Sequence, residues 1–327
     1  MKESIQKITI EDMHKDIQPV ARLFVNLPMY RYWFLRLLRF ITRLGLFKTP
    51  CLPGVSYSDT SLVNAKVRVY SRDKNSECAA LKPGVLWIHG GGLITGAAAQ
   101  DNKICSRYVN ELDAVVCSVE YRLAPENPFP AGLDDCFEAW QWFLQQAEEL
   151  GVDPSCIMVA GQSGGGCMAA SLAQHIYDAG GVQPKAQLLF CPMLDDRTGA
   201  KRELDHMGYV GWTNRCNRQA WSWYMGCEAG ADQVPENSVP ARRADLSGLP
   251  PAWIGIGDLD LFYDEAKIYA ERLQQAGVET TFDLVKGGPH GFEIPADGTP
   301  LVNDYFTRHF QSVRRLAGLD AGAAQAT

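Results

Sequence analysis

The chain has 327 residues, 46% of them hydrophobic and 21% charged, with a net charge of −7 and a pI near 5.4. This composition excludes long disorder, collagen and coiled coil, and a chain of this length buries enough surface to fold without disulfide staples. The acidic balance argues against nucleic acid as a partner, because phosphate binding wants a basic patch.

Residues 1–16 lack the apolar core of a signal peptide, and no run of about 18 apolar residues predicts a membrane span. Two helical patterns are expected near the start, over 11–26 and 29–45. In the second, Trp33, Leu37, Phe40, Ile41 and Leu44 share one face while Arg36, Arg39 and Arg43 share another. The expectation is a helix whose apolar face packs on the body with its arginines in water; a membrane-surface helix is the alternative. From about residue 55 the pattern alternates. Strands are expected at Lys66–Tyr70, Val85–His89, Ala114–Val119, Cys156–Ala160, Ala186–Phe190, Pro251–Ile256 and Thr280–Val285. Helices are expected over 101–111, 132–149, 163–180, 262–276 and 301–316. Short apolar runs between amphipathic helices predict a mostly parallel sheet covered on both faces. The aromatic-rich stretch 195–225 interrupts this rhythm, and 317–327 reads as a frayed tail. Ten cysteines run from Cys51 to Cys227 with no C-x-x-C and no zinc-ligand spacing, which points to reduced thiols and a cytoplasmic location.

The strongest chemical signal is Gly161-Gln162-Ser163-Gly164-Gly165, which follows one expected strand and opens a helix. A serine on so sharp a turn presents its hydroxyl above the sheet, and the flanking glycines leave room for the turn. A phosphate loop is the competing reading, but the Lys-Ser/Thr of a P-loop is missing. His89-Gly90-Gly91-Gly92 follows another strand, and its unshielded N–H groups suit a developing oxyanion. Gly91, Gly92 and Gly164 are the expected donors, with Gly164 also at a helix N-terminus. His89 is either a base or, on the preferred reading, an anchor for this loop. A serine needs a base, and His290, in a turn after the last strand, is placed to serve. His14, His175, His206 and His309 carry no such context. The base in turn needs a carboxylate to hold its tautomer. Asp258 and Asp260 both sit at a strand's carboxyl end, and periodicity leaves the choice between them open. The chain order of serine, acid and histidine is that of α/β-hydrolases.

These blocks resemble the hormone-sensitive-lipase family of α/β-hydrolase carboxylesterases from about Val85 to Phe292. The resemblance rests on HGGG at 89–92, EYRLAPENPFPAG at 120–132, GQSGGG at 161–166, CPMLDDRT at 191–198, DLDLFYDE at 258–265 and PHGF at 289–292. It implies an α/β-hydrolase fold spanning 51–316, with a helical cap built from residues 1–50 and 195–225. It favours Asp260 as the acid, the first residue of a D-x-x-x-D-E pattern. Two positions depart from the family: Gln162 stands where an acidic residue is usual, and Gly164 where alanine is common. Glu120, Arg122 and Glu126 read as ion pairs bracing their loop rather than as a substrate carboxylate site.

The expected function is a serine carboxylesterase acting on short- to medium-chain acyl esters through Ser163, His290 and Asp260. Leu93 and Gln162 are expected at the substrate pocket. No metal or organic cofactor is expected, and the partners are a small-molecule ester and, as the family includes dimers, a second copy of the chain. The same triad would also serve an amidase, a deacetylase or an acyltransferase. A non-catalytic receptor on this scaffold is the remaining reading, disfavoured by the presence of His290.

Overall fold

The computed structural model describes residues 7–73 and 81–322. One eight-stranded sheet organises it: β1 (Val55–Ser61), β2 (Lys66–Arg72), β3 (Lys82–Ile88), β4 (Val115–Glu120), β5 (Val152–Gln162), β6 (Gln187–Phe190), β7 (Ala252–Gly257) and β8 (Thr280–Val285). Their spatial order is β1-β2-β4-β3-β5-β6-β7-β8, with β1 and β2 antiparallel to their neighbours and the rest parallel. The helices are α1 (Tyr32–Arg43), α2 (Asn102–Leu112), α3 (Ala131–Gln145), α4 (Gly164–Ala179), α5 (Asp196–Ala200), α6 (Asn214–Met225), α7 (Tyr263–Gln275) and α8 (Pro300–Ala317).

Alternation along the central strands explains their continuous apolar runs. In β3, Leu86 and Ile88 enter one core and Val85 and Trp87 the other; in β5, Ile157 and Val159 oppose Met158 and Ala160. Both faces are buried, so every second position must be apolar and so must the positions between. Helices α3, α4 and α7 cover the first face, while α2 and α8 cover the second. The parallel strands all run the same way, which collects their carboxyl ends along one edge.

Several expectations need correction. The helix expected over 11–26 is instead two 3₁₀ turns, Ile10–Asp12 and Gln18–Leu23, because Pro19 cannot donate to a helical ladder. β1 was not expected: its sequence VSYSDTS has little apolar content because it is a half-exposed edge strand pairing only with β2. Within 195–225 the chain forms α5 and α6. Residues 319–322 form a 3₁₀ turn after α8 rather than a frayed end, and 323–327 lie outside the described residues. Nine of the ten cysteines are in the described residues and all nine are free; Cys78 lies outside.

The largest correction concerns α1. Leu35 and Leu38 are its buried residues, and Arg39 turns inward, donating to the carbonyls of Ile94 and Ala124 and pairing with Glu126. Trp33, Leu37, Phe40 and Leu44 lie on the opposite side and are exposed. Thus most of the face expected to pack on the body is outermost. Among the described residues no helix is long and apolar enough to cross a membrane.

Candidate active site

Four carboxyl-end loops meet above the sheet: 89–92 after β3, 163 after β5, 258–260 after β7 and 287–290 after β8. Ser163 occupies the turn between β5 and α4 with φ 57° and ψ −117°, a region an L-residue enters only when its surroundings hold it there. Its N–H donates to the Phe190 carbonyl at 2.8 Å, and its own carbonyl accepts from Met193 at 3.1 Å and Cys167 at 3.0 Å. The glycines around it are needed for approach. A Cβ on Gly165 would strike the Ile88 carbonyl, and one on Gly161 the Gly165 carbonyl.

Ser163 Oγ lies 2.9 Å from His290 Nε2, and His290 Nδ1 lies 2.8 Å from Asp260 Oδ2. The other Asp260 oxygen accepts the Phe262 N–H at 2.9 Å, which fixes the carboxylate's plane. Geometry separates the two aspartates that periodicity could not: Asp258 accepts the Gly287 N–H at 2.6 Å and braces the loop that carries His290. Burial pulls the His290 pKa down, while the Asp260 carboxylate and its hydrogen bond push it up and Glu293 adds to the rise; the balance is above the ordinary 6.5. Phe262 packs edge-on against the imidazole at 5.2 Å between ring centres.

The N–H groups of Gly91, Gly92 and Gly164 engage no protein acceptor among the described residues. Gly92 has φ +59°, and a Cβ there would run into the Trp212 indole. A Cβ on Gly164 would lie 2.8 Å from the Gly92 nitrogen and 2.7 Å from that of Leu93, so the two loops approach at backbone level. His89 is fully buried, stacks on Tyr121 with 4.3 Å between ring centres and points Nδ1 at the Gly90 carbonyl, 2.8 Å away. Tyr121 in turn donates to the His89 carbonyl. This ring pair pins the glycine loop to the sheet.

Ser163 and His290 open into a cleft of about 350 Å³ walled by Leu23, Phe24, Met29, Trp212, Ile294 and Pro295. Gln162 also lines it. Leu93 does not: its side chain is buried in the core, so the expectation that it forms part of the pocket is corrected to a backbone position beside Gly164. Trp221 is likewise core, and Trp223 packs against Tyr32. Glu293 was not foreseen. Its buried carboxylate accepts a hydrogen bond from Gln162, and burial pushes its pKa upward. The only sequence signal for it was an acid three residues after His290.

Elsewhere the charged motif at 120–126 serves the scaffold. Arg122 forks onto the buried Asp135, Glu126 takes Arg39 and Tyr32, and Glu120 accepts the Ala98 N–H at 2.7 Å. Cys191 shares a 4.8 Å neighbourhood with Asp260 and His290, a donor set that could be read as metal-ligating. Burial holds the Cys191 thiol well above its ordinary pKa, which disfavours the thiolate a metal needs, and both His290 nitrogens face protein partners.

A sequence profile described as alpha/beta hydrolase fold matches residues 85–294. The chain belongs to this family, in its hormone-sensitive-lipase-like branch. Among its relatives, Carboxylesterase NlhH of Mycobacterium tuberculosis is 36% identical over 238 residues, covering 71% of this chain and 73% of that protein. Esterase LipI of the same species is 32% identical over 240 residues, covering 71% and 72%. Among solved structures, a bacterial heroin esterase superposes with a TM-score of 0.82 at 30% identity, covering 95% of this chain and 99% of that one. This α/β-hydrolase is a carboxylic ester hydrolase.

Proposed function

We propose that Ser163 is the nucleophile of a two-step ester hydrolysis in which His290 is the base and Asp260 its orienting carboxylate. The observation that carries this is the continuous chain of contacts from Ser163 Oγ through the imidazole to Asp260, at 2.9 and 2.8 Å. In the first step Oγ attacks the acyl carbon while its proton passes to His290 Nε2. Negative charge builds on the carbonyl oxygen, where the N–H groups of Gly91, Gly92 and Gly164 receive it, aided by the positive end of α4. The tetrahedral species collapses, His290 returns the proton to the departing alkoxide, and the alcohol leaves. Water then enters, gives a proton to His290 and attacks the acyl-enzyme; the carboxylic acid leaves and Ser163 regains its hydrogen. Asp260 holds the proton on Nδ1 throughout, so that Nε2 stays free to accept.

The volume and apolar walls of the cleft support short- to medium-chain acyl esters. Residues 23–29 and 211–212 supply part of those walls, which supports a cap role for the segments 1–50 and 195–225. Hydrolysis of p-nitrophenyl esters from acetyl to dodecanoyl by wild type and Ser163→Ala tests the reading. The wild type turns over the shorter esters best, and the variant falls by about 10⁴-fold or more. A variant that keeps wild-type rates would overturn the assignment. An optimum at dodecanoyl would overturn the chain-length reading alone.

A further inference from the structure

Helix α1 leaves an unpartnered apolar face. Around the helix, Trp33, Leu37, Phe40 and Leu44 lie opposite the buried Leu35 and Leu38, and Trp33 is 62% exposed, Phe40 60% and Leu44 64%. Leu46 and Phe47, just beyond the helix, are exposed as well. Such a run of large apolar side chains on an outer surface marks an interaction site.

Charge indicates what it meets. From Ile17 to Ser58 there is no Asp or Glu, while Arg22, Arg31, Arg36, Arg39, Arg43 and Lys48 all fall in this span, in a chain of net charge −7. Arg39 is consumed inside the fold. Arg36 and Arg43 are exposed, flank the apolar stripe on one side, and form no ion pair among the described residues. A second copy docked antiparallel on this stripe about a two-fold would set these arginines on the same edge as their counterparts, at a repulsive cost. An anionic lipid surface takes both features, apolar side chains between the headgroups and guanidinium groups on the phosphates. The same acid-free span contributes Leu23 and Val25, exposed side chains that line the cleft of Ser163.

We propose that α1 and the turn after it dock this hydrolase reversibly on anionic membrane surfaces, lying in the interface without crossing it. The docking does not involve Ser163.

Co-sedimentation with vesicles of phosphatidylcholine alone, and of an equimolar mixture of phosphatidylcholine and phosphatidylglycerol, tests this. Wild type and Ser163→Ala both pellet with the mixed vesicles, stay in solution with phosphatidylcholine alone, and are released by high salt. The Trp33→Ser/Phe40→Ser/Leu44→Ser variant stays in solution. Arg36→Gln/Arg43→Gln loses roughly fivefold in partition for each arginine replaced. Both variants keep wild-type turnover of p-nitrophenyl acetate in vesicle-free buffer, which shows that they fold. Wild type that remains in the supernatant with mixed vesicles overturns the proposal, as does pelleting that survives both sets of substitutions. Light scattering that finds a stable dimer, dissociated by the apolar substitutions, overturns it in favour of a second copy. Loss of esterase activity in Ser163→Ala with docking retained leaves the two readings separately judged.

Discussion

His290 titrates under opposing pulls, and with His290 as the proposed base their balance sets the pH behaviour of the enzyme. Burial favours the neutral ring; Asp260 and, more weakly, Glu293 favour the charged one, and the net pKa is above 6.5. A base must be neutral to accept the Ser163 proton, so kcat/KM falls as pH drops through a value above 6.5. Replacing Glu293 with Gln removes one source of the rise while leaving a side chain that can still face Gln162. The acid limb then moves to lower pH, with the alkaline plateau retained; a pH–rate profile of kcat/KM that does not move would remove Glu293 from the electrostatics of the site. Gly92 gives a second residue-scale expectation. Its φ of +59° and the indole beside it leave no place for a methyl group. Gly92→Ala therefore lowers kcat by about 10²–10³ through a displaced oxyanion donor, with far-UV circular dichroism unchanged; a kcat within threefold or so of wild type would show that the Gly92 amide carries little of the charge. At this scale the sequence was most readable where chemistry demands a residue type at a fixed spacing: Ser163, His290 and the glycines could be picked out as candidates, and they lie together in the structure. Choosing Asp260 over Asp258 needed either resemblance or coordinates, because both aspartates follow the same strand and only one faces the imidazole. Glu293 was hidden because nothing in a one-dimensional pattern shows that an acid is buried beside a glutamine 131 positions away.

Among the elements, α1 shows where pattern reading fails and why. Periodicity resolves an apolar face and a basic one but does not say which of them points inward. Here Arg39 is held by the Ile94 and Ala124 carbonyls and by Glu126, and Leu35 and Leu38 fill the core. Arg39→Ala would leave two carbonyls without this donor and the Glu126 carboxylate without its cation, with only Tyr32 still donating to it. Stability falls by about 1–3 kcal/mol in urea unfolding followed by fluorescence. A change below about 0.5 kcal/mol would mean that α1 is held by its leucines alone. The parallel strands were the easiest elements to foresee, since burial on both faces writes itself as an unbroken apolar run. β1 escaped notice because an edge strand exposed to water can be mostly serine, aspartate and threonine.

The whole molecule explains why residues from four distant parts of the chain meet. Parallel strands bring Gly91, Ser163, Asp260 and His290 to one edge, and each loop needs only a few residues to reach its neighbours. The central claim is that Ser163 carries the acyl group. The most direct test is to trap that bond with a p-nitrophenyl alkylphosphonate, which transfers its phosphonyl group to an activated serine and releases p-nitrophenol. Intact-mass measurement followed by peptide mapping should find one adduct per chain, on the peptide that holds Ser163, with activity lost in proportion and no adduct in Ser163→Ala. An adduct on another residue, or undiminished hydrolysis by fully labelled protein, would contradict the account.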